Sequence, residues 1–112
     1  MRSDIVDHDG YRIVSVGEET IDFANVSDFR DVLDENVKDY TGNVILDLSV
    51  VTYIGSVGLG LISLVSVMLD SEGRRFIVVC ATDEVRRLFH ISGLDRVMTV
   101  VETVESAQRR LS

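Results

Sequence analysis

At 112 residues, 46% of them apolar and none of them proline, the chain has the size and make-up of one folded domain, residues 1–112, with no linker at which to divide it. Its formal net charge of −8 opposes binding to the phosphate backbone of nucleic acids and to anionic membrane surfaces. A single cysteine, Cys80, excludes an intrachain disulfide. With only His8 and His90 beside it there is no metal-ligand spacing, so neither metal nor cofactor is expected.

Taken in chain order, Asp4–Asp7 and Tyr11–Val16 read as paired strands about a turn at Gly10, and Thr20–Phe23 as a short edge strand or loop. Val26, Phe29, Leu33, Val37 and Tyr40 recur at steps of three and four opposite Asp28, Arg30, Asp31, Asp34, Glu35 and Lys38. This is an amphipathic helix, capped by Asn25 or Ser27 and ended by Gly42. Val44–Leu48 is a compact central strand interrupted only by Asp47, and Val50–Ile54 leads to a turn at Gly55. A second helix runs from Ser56 to about Asp70 and stops at Gly73. It is apolar nearly all round, which requires burial or a covering partner; Leu64 is expected against the sheet. Phe76–Cys80 is a buried strand, with Cys80 as a core residue at its end. Asp83 is the expected N-cap of a third helix striped by Val85, Leu88 and Phe89, with His90 near its C-terminus, where a helix end favours histidine. Val97–Val101 is the last strand, and Thr103 caps a final helix carrying Val104, Ala107 and Leu111. The pairs Arg74-Arg75 and Arg86-Arg87 read as solvated faces.

From Val44 onward strand and helix alternate, so right-handed crossovers and a parallel sheet are expected there. The fold class is therefore α/β: one mixed sheet with helices packed on it, parallel for the most part after the N-terminal strands. The start, Met1-Arg2-Ser3-Asp4, enters a polar strand without the apolar run of a signal segment. Val57–Leu69, the longest apolar-rich stretch, is broken by Gly58, Gly60, Ser63 and Ser66 and is too short to cross a bilayer. A cytoplasmic protein without membrane insertion is expected.

Catalytic constellations are missing. Ser56 follows a strand and opens a helix, but a nucleophile elbow needs glycine two residues earlier, where Ile54 stands. Gly58-Leu59-Gly60-Leu61-Ile62-Ser63 begins like a dinucleotide fingerprint and ends in serine, with too little chain after it for that fold. The expectation is a protein that is not an enzyme.

The most specific segment is Val44–Gly60, a buried strand leading through a short turn to Ser56 and then Gly58-Leu59-Gly60. With Val85-Arg86-Arg87-Leu88-Phe89, then Ser92-Gly93-Leu94, and more weakly Gly17 with Ile21-Asp22, it resembles the signature of STAS domains, in particular bacterial anti-sigma-factor antagonists. The resemblance covers nearly the whole chain. It implies a STAS-like fold and partner switching. The unphosphorylated antagonist binds an anti-sigma factor that is also an ATP-dependent serine kinase, phosphorylation breaks the complex, and a PP2C-type phosphatase restores it. The phosphoacceptor maps onto Ser56, and Asp22, Gly55, Ser56, Val57, Gly58 and Leu59 map onto the partner surface. Gly55 replaces the family's usual aspartate, and Val57 a common serine. The alternative within the family is a constitutive docking subunit of a lipid-transport or stress-signalling complex, in which Ser56 is never modified.

Overall fold

The computed structural model describes residues 1–112. β1 (Ser3–His8) and β2 (Tyr11–Val16) form an antiparallel hairpin, closed by Asp9-Gly10 with Gly10 at φ +85°, a left-handed conformation that glycine takes without strain. β4 (Asn43–Asp47), β6 (Phe76–Val79) and β7 (Thr99–Val101) follow in parallel, giving the sheet order β1-β2-β4-β6-β7. A separate two-residue ladder joins β3 (Thr20–Ile21) to β5 (Tyr53–Ile54) in parallel. The mixed sheet, antiparallel at the start and parallel beyond, is the expected one.

Strand alternation divides the core. Val14, Val44, Leu46, Phe76 and Val78 face the larger apolar cluster, where α1 (Val26–Leu33), α2 (Ser56–Ser71) and α3 (Asp83–Ile91) pack. Ile13, Ile45, Ile77, Val79 and Val101 face the other side, covered by α4 (Val104–Leu111) through Ala107. The central strands β4 and β6 are covered on both faces, which is why their residues read as apolar runs. The one polar interruption, Asp47, accepts hydrogen bonds from the Ser15 hydroxyl and the Ser49 N–H.

Several local expectations are corrected. Leu64 is not against the sheet: 68% of it is exposed, while Ile62, Val65 and Leu69 form the buried side of α2. Burying each of these gains about 1.5–3 kcal/mol, but Val57, Leu64 and Val67 offered comparable gains on the opposite face. Ser63, Ser66 and Asp70 share a third side of the helix, so periodicity could not choose between the two apolar faces. Thr82, not Asp83, caps α3, its hydroxyl accepting from the Val85 N–H. α1 starts at Asn25 without a side-chain cap, and it widens through Asp34–Lys38 before ending. Thr103 caps α4 as expected, and Cys80 lies in the core, where burial pushes its thiol up to about 12. His90 holds the Asp95 carboxylate through Nδ1 at 2.9 Å instead of capping its own helix.

Arg75 and Arg87 are exposed, as expected of solvated faces, but the other arginine of each pair is not. Arg74 is almost wholly covered; it donates to the Gly42 and Val37 carbonyls at 2.8 and 3.2 Å and pairs with Glu72. Its guanidinium and that of Arg12 approach the Tyr40 ring at 5.9 and 4.4 Å from the centroid. Arg86 donates to the Cys80 carbonyl at 3.0 Å and pairs with Asp83. No helix is long and apolar enough to cross a membrane.

Candidate functional site

The site is assembled by the small β3–β5 ladder. Ile21 and Ile54 are fully buried neighbours in it, so the residues after each, Asp22 and Gly55, emerge at the surface side by side. The Gly55 N–H donates to the Ile21 carbonyl at 2.8 Å and ties the two segments together. After Ile21 the chain folds into a tight loop. The Ala24 N–H donates to the Asp22 carboxylate (3.0 Å), the Asp22 N–H to the Asn25 side-chain oxygen (2.9 Å), and the Asn25 amide to the Thr20 carbonyl (2.8 Å). Asn25 thus spends its polar groups on the loop and not on capping α1. The Asp22 carboxylate likewise has a structural task in holding this loop.

On the other side, Gly55 is the N-cap of α2 and Ser56 its first helical residue. Ser56 therefore lies within the helix and is not its cap. The first intrahelical bond is Leu59 N–H to the Gly55 carbonyl at 3.1 Å. The N–H groups earlier in this first turn thus have no intrahelical acceptor, and Ser56 beside them is exposed. No acidic residue lies in this turn, so nothing within it opposes an added anion. Gly55 has φ −77° and ψ 171°, and a Cβ there would stay 3.7 Å or more from any neighbour. Its backbone does not require glycine. Gly58 differs: a Cβ on it would come within 2.8 Å of Ile54 Cγ1 and 3.2 Å of Ile21 Cγ2. That glycine lets the first turn of α2 settle onto the ladder.

The result is a hollow of about 120 Å³ lined by Ile21, Asp22, Phe23, Val26, Tyr53, Gly55, Ser56, Val57 and Gly58. Of the six positions expected at a partner surface, Asp22, Gly55, Ser56, Val57 and Gly58 line it together. Leu59 does not; it turns inward and packs, half-buried, on the core. Sequence reasoning missed Phe23, whose side chain is 95% exposed, and Tyr53, about half exposed. A large aromatic in a loop, outside both the strand and the helix periods, was the available signal for Phe23. No group of three or more His, Cys, Asp or Glu side chains is placed to hold a metal ion.

A two-strand ladder that sets a serine at the start of a helix, beside a mostly parallel sheet covered by three helices on one face and one on the other, defines a small α/β domain with that serine on its surface. The STAS domain model matches residues 2–107, and the chain belongs to that family. It is 31% identical over 103 residues to the anti-sigma-F factor antagonist RsfB of Mycobacterium tuberculosis, covering 92% of this chain and 83% of that one. It is 32% identical over 97 residues to the anti-sigma-B factor antagonist of Staphylococcus aureus, covering 87% and 89%. Among solved structures, an anti-sigma factor antagonist from Mycobacterium paratuberculosis superposes with a TM-score of 0.87 at 30% identity, over 97% of this chain and 92% of the other.

Proposed function

We propose that the chain is a non-catalytic anti-sigma-factor antagonist acting in the bacterial cytoplasm. It binds an anti-sigma factor through the hollow beside Ser56, and phosphorylation of Ser56 releases it. The partner is expected to be both anti-sigma factor and ATP-dependent serine kinase, with a PP2C-type phosphatase reversing the modification.

The single observation that carries the reading is the exposed Ser56 hydroxyl at the first position of a 16-residue helix, in the same hollow as Asp22 and Phe23. A phosphate there adds about −1.5 to −2 charges at a helix N-terminus, which accommodates anions. The fold is kept, while a partly apolar contact surface whose one charge is the Asp22 carboxylate becomes strongly anionic. A partner selected for the unphosphorylated surface must then desolvate that phosphate or withdraw. The antagonist names of the relatives at 31% and 32% identity support the same role.

Gly55 favours the second reading, a constitutive docking subunit, because the charge usually preceding the phosphoacceptor is missing. The test uses the purified serine-kinase anti-sigma factors of the source organism. Each is assayed for binding without ATP, then incubated with the chain and ATP, followed by mass spectrometry. One binder that phosphorylates Ser56 is expected. A binder that never modifies Ser56 would leave the docking subunit, and no binder at all would overturn the antagonist role.

A further inference from the structure

We infer that the partner's footprint continues from Ser56 along the outer face of α2, and that Gly60 is the notch in that face at which the partner's backbone makes its closest approach. The inference rests on the antagonist reading above and specifies the surface it uses.

At about 100° per residue, Val57, Gly60, Leu61, Leu64, Val67 and Met68 fall within about one third of the helix circumference. Leu61 and Met68 form the inner margin of this face, half-buried and packed on the core beside Ile62, Val65 and Leu69, while Val57, Gly60, Leu64 and Val67 form its exposed part. Val57 is 48% exposed, Leu64 68% and Val67 65%. Outside this face and the Ser56 hollow, the other exposed large apolar side chains are on other segments: Val6 on β1, Val50 before β5, Ile91 at the end of α3 and Val97 before β7. The α2 face begins at Val57, which also lines the Ser56 hollow with Phe23, so stripe and hollow form one continuous surface. An apolar stripe of this length on an acidic domain is the kind of patch that marks an interaction site.

Gly60 sits within the stripe. The chain itself has no use for a glycine there. A Cβ at Gly58 would collide with Ile54 and Ile21, but a Cβ at Gly60 would meet nothing within 4 Å, and its φ is not left-handed. Glycine nonetheless weakens a helix interior relative to alanine. A residue that costs helix stability and serves no contact within the fold is explained by something outside it. Lacking a side chain, it opens a gap between Val57 and Leu64 in which a partner's apolar side chain reaches the helix backbone. The occupant is thus the anti-sigma factor, presenting an apolar ridge that runs antiparallel or parallel to α2.

The test measures the melting temperature of Gly60→Ala and its affinity for the anti-sigma factor identified in the binding assay above. Alanine should raise Tm by about 3–6 °C, because it favours the helix and meets no neighbour. It should also weaken binding about tenfold, because the added methyl fills the notch. Leu64→Ser, at an exposed position, should keep Tm within about 4 °C and also weaken binding. Wild-type affinity in both variants would overturn the inference while leaving the antagonist role standing. Failure of the wild-type chain to bind any anti-sigma factor would overturn both. A wild-type dimer in sedimentation velocity that Leu64→Ser dissociates would assign the stripe to a second copy of the chain and overturn the inference.

Discussion

Gly58→Ala isolates the packing that places Ser56. Both of the side chains its new methyl would strike are fully buried: Ile54 at 2.8 Å through Cγ1 and 3.0 Å through Cδ1, and Ile21 at 3.2 Å. Neither can swing into solvent, so α2 or the β3–β5 ladder must move. Overpacking costs about 1–3 kcal/mol, and with two fully buried isoleucines in the way this site lies in the upper part of that range, about 2–3 kcal/mol. Alanine returns up to about 1 kcal/mol through helix propensity, leaving a net loss of about 1–2 kcal/mol. In a domain of this size that corresponds to a fall in Tm of about 4–12 °C, measurable by scanning calorimetry and checked against the urea midpoint. The displaced first turn also carries Ser56 away from Asp22, so affinity for the partner should fall together with stability. An unchanged or raised Tm would refute the claim that Gly58 is required by contact with Ile21 and Ile54. The same substitution two residues later, where no contact exists, should have the opposite sign.

Other substitutions separate fold from surface. Leu64→Asp, placed on an exposed helix face, should change stability by less than about 1 kcal/mol in urea titration; a loss of several kcal/mol would mean that Leu64 is buried after all. Asp22→Ala removes the carboxylate that holds the Ala24 N–H, so it should lower Tm by less than about 5 °C while weakening partner binding measured by calorimetry. Arg74→Met strands the Val37 carbonyl in the widened end of α1 and the Gly42 carbonyl just before β4, at the end of that strand away from Ser56. It should cost about 1–3 kcal/mol of stability and leave partner affinity unchanged. Gly55→Asp meets no steric obstacle and supplies a good N-cap. The variant should fold at least as stably as wild type and be phosphorylated faster, if the kinase reads that charge.

Much of the fold was legible because its signals were local. The apolar weight of Tyr11–Val16, the short β-branched runs Val44–Leu48 (broken only by Asp47) and Phe76–Cys80 between turn residues, and the helical stripe Phe29, Leu33, Val37 were each decided by local length, flanks or spacing. The cluster Asp22, Gly55, Ser56, Val57 and Gly58 was readable only through the family resemblance, since the β3–β5 ladder that joins Ile21 to Ile54 spans two residues and leaves no periodic trace. The orientation of α2 was hidden for another reason. With apolar residues on both faces, only the positions of Ile62, Val65 and Leu69 relative to the sheet decide which face is inside. Arg74 and Arg86 misled because their partners are backbone carbonyls distant in sequence or at a strand end, which composition does not reveal. Asn25 did so because its loop contacts compete with the helix cap.

The central claim, that the charge on Ser56 decides whether the partner stays bound, is tested by one calorimetric comparison. The anti-sigma factor is titrated with the chain before and after stoichiometric phosphorylation, with Ser56→Ala carried through the same kinase treatment. The account predicts that phosphorylation weakens wild-type binding by about tenfold or more, that Ser56→Ala takes up no phosphate and keeps its affinity, and that the phosphorylated chain melts within a few degrees of the unmodified one. Equal affinity of the phosphorylated and unphosphorylated chains would contradict it.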